Sequence, residues 1–263
     1  MRRFFSLGLV CMAFLLFSCS SDPVNDTQPD PPDLSEADGS PMDVLGLWDN
    51  PVPTLASGTT VVFTGYSNSS QSARTFINTY AASAGLTFVN CALSSNALEN
   101  WVSKNLASDC DGDNVSLTMN MIATQGQWDL DTFGDVIQTE LPKLYDQLKA
   151  RYPNAVHAFY PGEPAHWVDP SRCPRICEPL RYRTGIEVRL AVEALDKSDA
   201  ILGPYLHSAI GEPNASDVEF VCEDFRAQDP GCSQGVANQH PSDSGQAKVA
   251  LIYDRWLQGS GGY

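Results

Sequence analysis

The sequence predicts an α/β domain in which a parallel sheet is covered by helices on both faces. Short runs rich in β-branched and aromatic residues alternate with longer segments of helical periodicity, the pattern of a parallel sheet with crossover helices. The chain has 263 residues, room for one such domain with a sizeable core once a leader and a tether are set aside. No internal repeat interrupts the alternation.

The leader comes first. Arg2 and Arg3 precede an apolar stretch from Phe4 to Phe17 that is short for a membrane span and fits an export signal. Leu16-Phe17-Ser18-Cys19 resembles a bacterial lipoprotein cleavage box, although Phe17 is larger than the residue usual there. That resemblance implies a signal over residues 1–18, a lipidated Cys19 and attachment to the cell envelope through the lipid. An ordinary secretory signal with an incidental cysteine is the other reading. Residues 19–58 are rich in Ser, Asp and Pro, as in Asp30-Pro31-Pro32-Asp33, and bury too little apolar surface to offset their ordering entropy. They read as an acidic tether, with Leu45 to Leu55 apolar enough to pack on the domain that occupies residues 59–263.

Removal of residues 1–18 takes away two arginines and no acid, leaving 14 basic against 32 acidic residues, a net charge of −18. So acidic a chain is a poor match for nucleic acid or anionic headgroups.

Strands are expected at about Thr60–Gly65, Leu86–Asn90, Val115–Met121, Ala155–Tyr160 and Ala200–Leu206, and helices at about Ser70–Ala84, Ala97–Leu106, Asp131–Arg151, Thr184–Asp196 and Gln246–Leu257. The helices rest on spacing: Ile137, Leu141, Leu144, Tyr145 and Leu148 share one face, as do Val249, Ile252, Tyr253 and Trp256. Pro142 is expected to kink or restart the long middle helix. Long irregular segments at 161–183 and 208–239 follow the fourth and fifth strands, at the sheet edge where open α/β sheets bind ligands.

Beyond Cys11 and Cys19, six cysteines remain: Cys91, Cys110, Cys173, Cys177, Cys222 and Cys232. An even number in an exported chain implies disulfides, and proximity in sequence favours Cys91–Cys110, Cys173–Cys177 and Cys222–Cys232. Zinc is weakly supported, because the Cys-x3-Cys spacing lacks a second pair. Asp109-Cys110-Asp111-Gly112-Asp113-Asn114 alternates acids around a glycine but lacks the rest of a calcium loop, so it reads as a solvated turn. No metal and no cofactor is expected.

Two segments near the ends of the domain carry candidate chemistry. Val61-Val62-Phe63-Thr64-Gly65-Tyr66-Ser67 is an apolar strand running into a helical pattern, with Ser67 on the turn, and His240-Pro241-Ser242-Asp243-Ser244-Gly245 precedes the last helix. A serine hydroxyl becomes a nucleophile when a base takes its proton, and histidine titrates in the right range to be that base. The bland reading is that Ser67 is a helix N-cap, although Ser69 and Ser70 could serve equally well. Gly65-Tyr66-Ser67, with His240-Pro241 and Gly245 late in the chain, resembles the SGNH (GDSL-like) hydrolase superfamily. The resemblance covers roughly residues 59–258 in the order and spacing of elements, and matches at residue level in the two end blocks alone.

That resemblance implies a three-layer α/β/α sandwich with a five-stranded parallel sheet in flavodoxin-like order, Ser67 as nucleophile and His240 as base. It implies an oxyanion hole built from the Ser67 amide, a backbone amide at Ser94 or Ser95 in place of the family's glycine, and Asn120 near the family's asparagine. Ala237 stands where the family has its catalytic aspartate, so Glu163 or Asn238 is the candidate partner of the imidazole, a backbone carbonyl or a Ser-His dyad being the alternatives. His166 and Trp167 suit a sugar ring or an acyl group. His157 is expected to be structural, and His207 to line the site without an acid partner. The implied activity is hydrolysis of small acyl esters, acetylated glycans among them, through an acyl-enzyme. The alternative is a carbohydrate-binding or surface-assembly lipoprotein that keeps the fold and has weakened catalysis.

Overall fold

The computed structural model describes residues 54–124, 133–162, 178–206, 218, 220–227 and 237–259. Five strands form one parallel sheet: β1 (Thr60–Thr64), β2 (Thr87–Asn90), β3 (Val115–Ile122), β4 (Val156–Pro161) and β5 (Ala200–Leu202). Their order across the sheet is β2-β1-β3-β4-β5, and the chain reverses direction of travel between β2 and β3. The carboxyl ends of β1 and β3 therefore lie side by side, with Thr64 paired to Asn120, and a ligand-binding crevice is expected beyond them.

Helices cover both faces. On one side lie α1 (Ser67–Ala84) and α5 (Asp243–Leu257), and on the other α2 (Leu98–Ser103), α3 (Phe133–Arg151) and α4 (Glu178–Leu195). The strands alternate accordingly. Val61, Phe63, Leu117, Met119 and Met121 are packed with Phe76, Val249, Tyr253 and Trp256, whereas Val62 and Ile122 are packed with Trp101, Ile137, Leu141, Leu144 and Val188. The predicted stripes on the third and fifth helices are thus the faces that meet the sheet. Leu55 is partly buried against the α1 and α5 side.

Several boundaries differ from expectation for identifiable reasons. Helix α3 runs unbroken through Pro142; its buried stripe flanks the proline on both sides and holds the helix across the missing N–H. Strand β5 ends at Leu202, because Pro204 two residues on cannot extend the ladder that Gly203 continues with its amide bond to the Phe159 carbonyl at 2.8 Å. Helix α4 starts at Glu178 rather than Thr184, with Pro179 in the first turn, where no amide is needed. The second helix stops at Ser103; Asn105 adopts a left-handed φ of 49° and a 3-10 turn at Leu106–Asp109 takes over.

One element was not expected at all. Phe225–Ala227 (β6) and Ala237–Pro241 (β7) form a separate antiparallel pair, so His240 sits on a strand rather than in a loop. Of the six expected disulfide cysteines, Cys91 and Cys110 have described side chains, and both are free thiols. They lie close enough to interact: Cys110 lowers the Cys91 pKa, and Cys91, with burial, raises that of Cys110.

Candidate active site

The nucleophile turn is shaped by one glycine and held from three sides. Gly65 has φ of 120°, and a Cβ there would lie 2.6 Å from the Met121 carbonyl oxygen, so no other residue fits. Its own carbonyl accepts the Leu93 amide at 2.9 Å and the Trp101 indole N–H at 3.1 Å. Ser69 Oγ donates to the Thr64 carbonyl at 2.7 Å. Ser69 is therefore a brace across the turn rather than a helix cap. The N-cap position of α1 is Tyr66, in extended conformation, and no side chain caps the helix. Ser67 is its first residue, so the Ser67 amide belongs to the donors that a helix cannot satisfy from within.

His240 reaches this turn from the other end of the chain. The 3-10 turn Cys222–Asp224 and β6 hold β7, with Phe225 paired to Pro241. Asp224 organises the junction. Its carboxylate accepts the Val221 amide and the Ser244 hydroxyl, each at 2.8 Å, and pairs with Lys248, while its carbonyl accepts the Ser242 amide at 2.8 Å. Gly245 allows this approach, since a Cβ there would lie 2.0 Å from the Asp224 carbonyl oxygen. Ser242 caps α5 by accepting the Gly245 amide. Across to α1, Arg226 donates to Gln71 Oε1 at 2.7 Å and Thr75 donates to Gln246 Oε1 at 3.0 Å. The outcome is a distance of 2.9 Å between Ser67 Oγ and His240 Nε2. With the ring proton on Nδ1, the hydroxyl donates to Nε2, the contact through which an imidazole can remove a serine proton. Asn68 Oδ1 lies 3.3 Å from the same hydroxyl.

The other expected residues fare differently. Asn120 is corrected. It is fully buried; its Oδ1 accepts from Thr64 at 2.7 Å, and its Nδ2 donates to Thr118 Oγ1 and the Ala158 carbonyl, each at 2.9 Å. Both amide hydrogens are committed inside the sheet, so Asn120 has no donor left for an oxyanion. Ser94 and Ser95 lie exposed in the turn after β2, which the Leu93 amide fastens to Gly65. Ser95 has φ of 61°, the left-handed conformation that favours glycine. Asn238 is on β7, and its side chain is outside the described residues, as are Glu163, His166, Trp167, His207 and Cys19. Among the described residues no group of three His, Cys, Asp or Glu side chains is arranged to hold a metal ion; Asp109–Asn114 is the turn leading into β3. Sequence reasoning missed Trp101 and Asp224, neither of which belongs to a motif or a periodic stripe, and it assigned no role to Thr64 although the residue lies within the Ser67 block.

The Asn120 network ends at His157, whose Nδ1 lies 2.9 Å from Thr118 Oγ1. His157 is fully buried and its Nε2 has no partner among the described residues, so it is structural, as expected, but half satisfied. Burial pushes its pKa down from 6.5 to about 4, against the pull of Asp199. Between those values the unfolded chain binds the proton and the folded one does not, so stability falls as pH drops through this window, by about 3 kcal/mol in all. Urea unfolding of wild type and His157→Gln from pH 7 to pH 4 should give a difference curve with that slope; a flat one would refute it.

The parallel order, the two helical layers and a Ser-His pair at the carboxyl edge define an SGNH-hydrolase-like α/β/α fold. No family model matches the sequence, and no curated protein does. Among solved structures, the chain is similar to a proposed platelet activating factor from Streptococcus pneumonia, at 12% identity and a TM-score of 0.50 over 76% of this chain and 84% of that one. It is also similar to a carbohydrate esterase family 3 protein from Talaromyces cellulolyticus, at 13% identity, TM-score 0.49, covering 76% and 97% of the two chains. A proposed SGNH hydrolase from Slackia heliotrinireducens gives 15% identity, TM-score 0.47, and 74% and 96%. At such identities the likeness is one of fold.

Proposed function

We propose that this protein is an exported serine esterase acting on small acyl esters, acetylated glycans among them. The observation that carries the reading is the 2.9 Å contact between Ser67 Oγ and His240 Nε2, made across 173 residues of sequence at the ligand-binding edge of the sheet. Ser67 Oγ attacks the ester carbonyl carbon as its proton passes to Nε2. The tetrahedral intermediate collapses, the alkoxide leaves with that proton, and an acyl-enzyme remains. Water then attacks the acyl carbon, His240 takes its proton and returns it to Ser67, and the free acid departs. The Ser67 amide and an amide from the Ser94–Ser95 turn are the proposed backbone donors to the oxyanion. Glu163 and Asn238 remain the proposed partners of the imidazole, and His166 and Trp167 the proposed contacts to substrate.

A fluorophosphonate probe tests this reading. Stoichiometric labelling that maps to Ser67 by peptide mass is the expected result. One observation favours a second reading: Ala237 on β7 supplies no carboxylate to the histidine. Glycan binding without labelling would mean a carbohydrate-binding or surface-assembly lipoprotein that keeps this fold.

Attachment to the envelope through Cys19, with the catalytic domain outside the cytoplasm, is part of the same proposal. In that compartment the neighbouring thiols Cys91 and Cys110 are expected to lose two electrons and two protons to a disulfide such as oxidised glutathione, and to close a bridge. Closing a loop of this length stabilises by about 3 kcal/mol. Peptide mapping should recover the cross-linked pair after such treatment, with a melting temperature that falls on reduction in wild type but not in a Cys91→Ser, Cys110→Ser double variant. Two alkylatable thiols after oxidation would refute it.

A further inference from the structure

The end of β1 carries the Ser67 turn, and β3 holds it through side chains as well as through the backbone ladder. Thr64 Oγ1 donates to Asn120 Oδ1 at 2.7 Å, and Asn120 Nδ2 donates to Thr118 Oγ1 at 2.9 Å. With that oxygen already accepting, the Thr118 hydroxyl donates to His157 Nδ1 at 2.9 Å. The four side chains form one column from the nucleophile turn back across β3 into β4, and all four are buried. By strand alternation they share the sheet face on which Val62, Ile122 and Phe159 are apolar. From that face the Trp101 indole also donates to the Gly65 carbonyl. Ser69 Oγ closes the turn onto the Thr64 carbonyl at 2.7 Å, so Thr64 is joined to β3 by its side chain and to α1 by its backbone.

Packing does not require such a column. Two hydrogen-bonded side chains replaced together by apolar groups of the same shape change stability little, whereas a satisfied buried network fixes a unique geometry. We infer that Thr64 and Asn120 are positioning residues for the nucleophile: the bond between them, backed by Thr118 and His157, sets where β1 ends against β3, and so the 2.9 Å reach from Ser67 Oγ to His240 Nε2. This rests on the esterase reading of Ser67. Neither side chain touches the reacting atoms, and both act through the turn. A misplacement of about 1 Å between reacting groups can cost about 100-fold in rate.

Thr64→Val keeps the shape and removes the donor. For an activated acetyl ester, kcat should fall by about 10- to 100-fold with KM changed by less than about twofold, and the rate constant for fluorophosphonate labelling of Ser67 should fall in step. Thr64→Ser should recover most of both. The melting temperature of Thr64→Val should drop, because Asn120 Oδ1 is left buried without its donor, and the Thr64→Val, Asn120→Leu double variant should regain it while kcat stays low. Recovery of kcat together with stability in the double variant would mean a packing role and overturn the inference. An unchanged kcat in Thr64→Val, or no rescue by Thr64→Ser, would overturn it too. If a valine variant does not fold, Thr64→Ala compared with Thr64→Ser makes the same measurement. Ser67 labelling in wild type separates the two ideas: labelling at a rate that Thr64→Val leaves unchanged sinks the positioning role alone, and no labelling sinks both.

Discussion

Ser67→Ala is expected to lower kcat for an activated acetyl ester by about four to six orders of magnitude, because a serine nucleophile and its histidine act as one unit. The residue is the first of α1 and its side chain caps nothing, so the substitution removes a hydroxyl without removing a structural hydrogen bond to the backbone. Alanine favours the helix there more than serine does. Fold and melting temperature should therefore be preserved while turnover disappears, which separates a catalytic role from a structural one. His240→Gln should cost a similar factor, and the double variant little more than either single one. Additive losses would show that the two side chains work independently, and undiminished turnover in Ser67→Ala would end the esterase reading.

The second large effect is expected in stability. Asp224 has a 3% exposed side chain paired with Lys248, whose side chain is 32% exposed, and it also accepts the Val221 amide and the Ser244 hydroxyl. Asp224→Ala leaves these donors without their acceptor and the ammonium without its counter-charge, a loss of about 3 kcal/mol, at the low end for buried pairs because the lysine is partly solvated. Urea unfolding at neutral pH would measure it. Turnover should fall as well, since the carboxylate fastens the turn that carries β6 and β7, and with them His240. A loss below about 1 kcal/mol would mean that the network is not retained in solution.

Much of this molecule could be anticipated from the order of its residues. Val61, Val62 and Phe63 are buried whichever neighbours flank them, and such a run ending at Gly65 has few structures open to it. The stripes at Ile137, Leu141 and Leu144, and at Val249, Ile252 and Trp256, carry their period within themselves. Local patterns of this kind established the five parallel strands, the helical layers and the placing of Ser67 and His240 at one edge. They failed where an element exists through pairing. Ala237-Asn238-Gln239-His240-Pro241 has no alternation and little intrinsic preference for a strand, and it becomes one by lying against Phe225–Ala227.

Polar residues inside the sheet were the other gap. Asn120 was expected at the oxyanion as the asparagine nearest the family's third block, but the β1–β3 register sets it opposite Thr64, and a buried amide bonds to whatever acceptors the register brings. Asp224 is a similar case: nothing in its own neighbourhood distinguishes it, and its role arises from groups brought near by folding. Residue order was thus sufficient for the class of fold and for the two ends of the proposed catalytic pair, since hydrophobic periodicity and turn chemistry act over a few residues. The 2.9 Å approach of Ser67 to His240 and the commitment of Asn120 depend on strand register and layer packing, which only the assembled chain possesses.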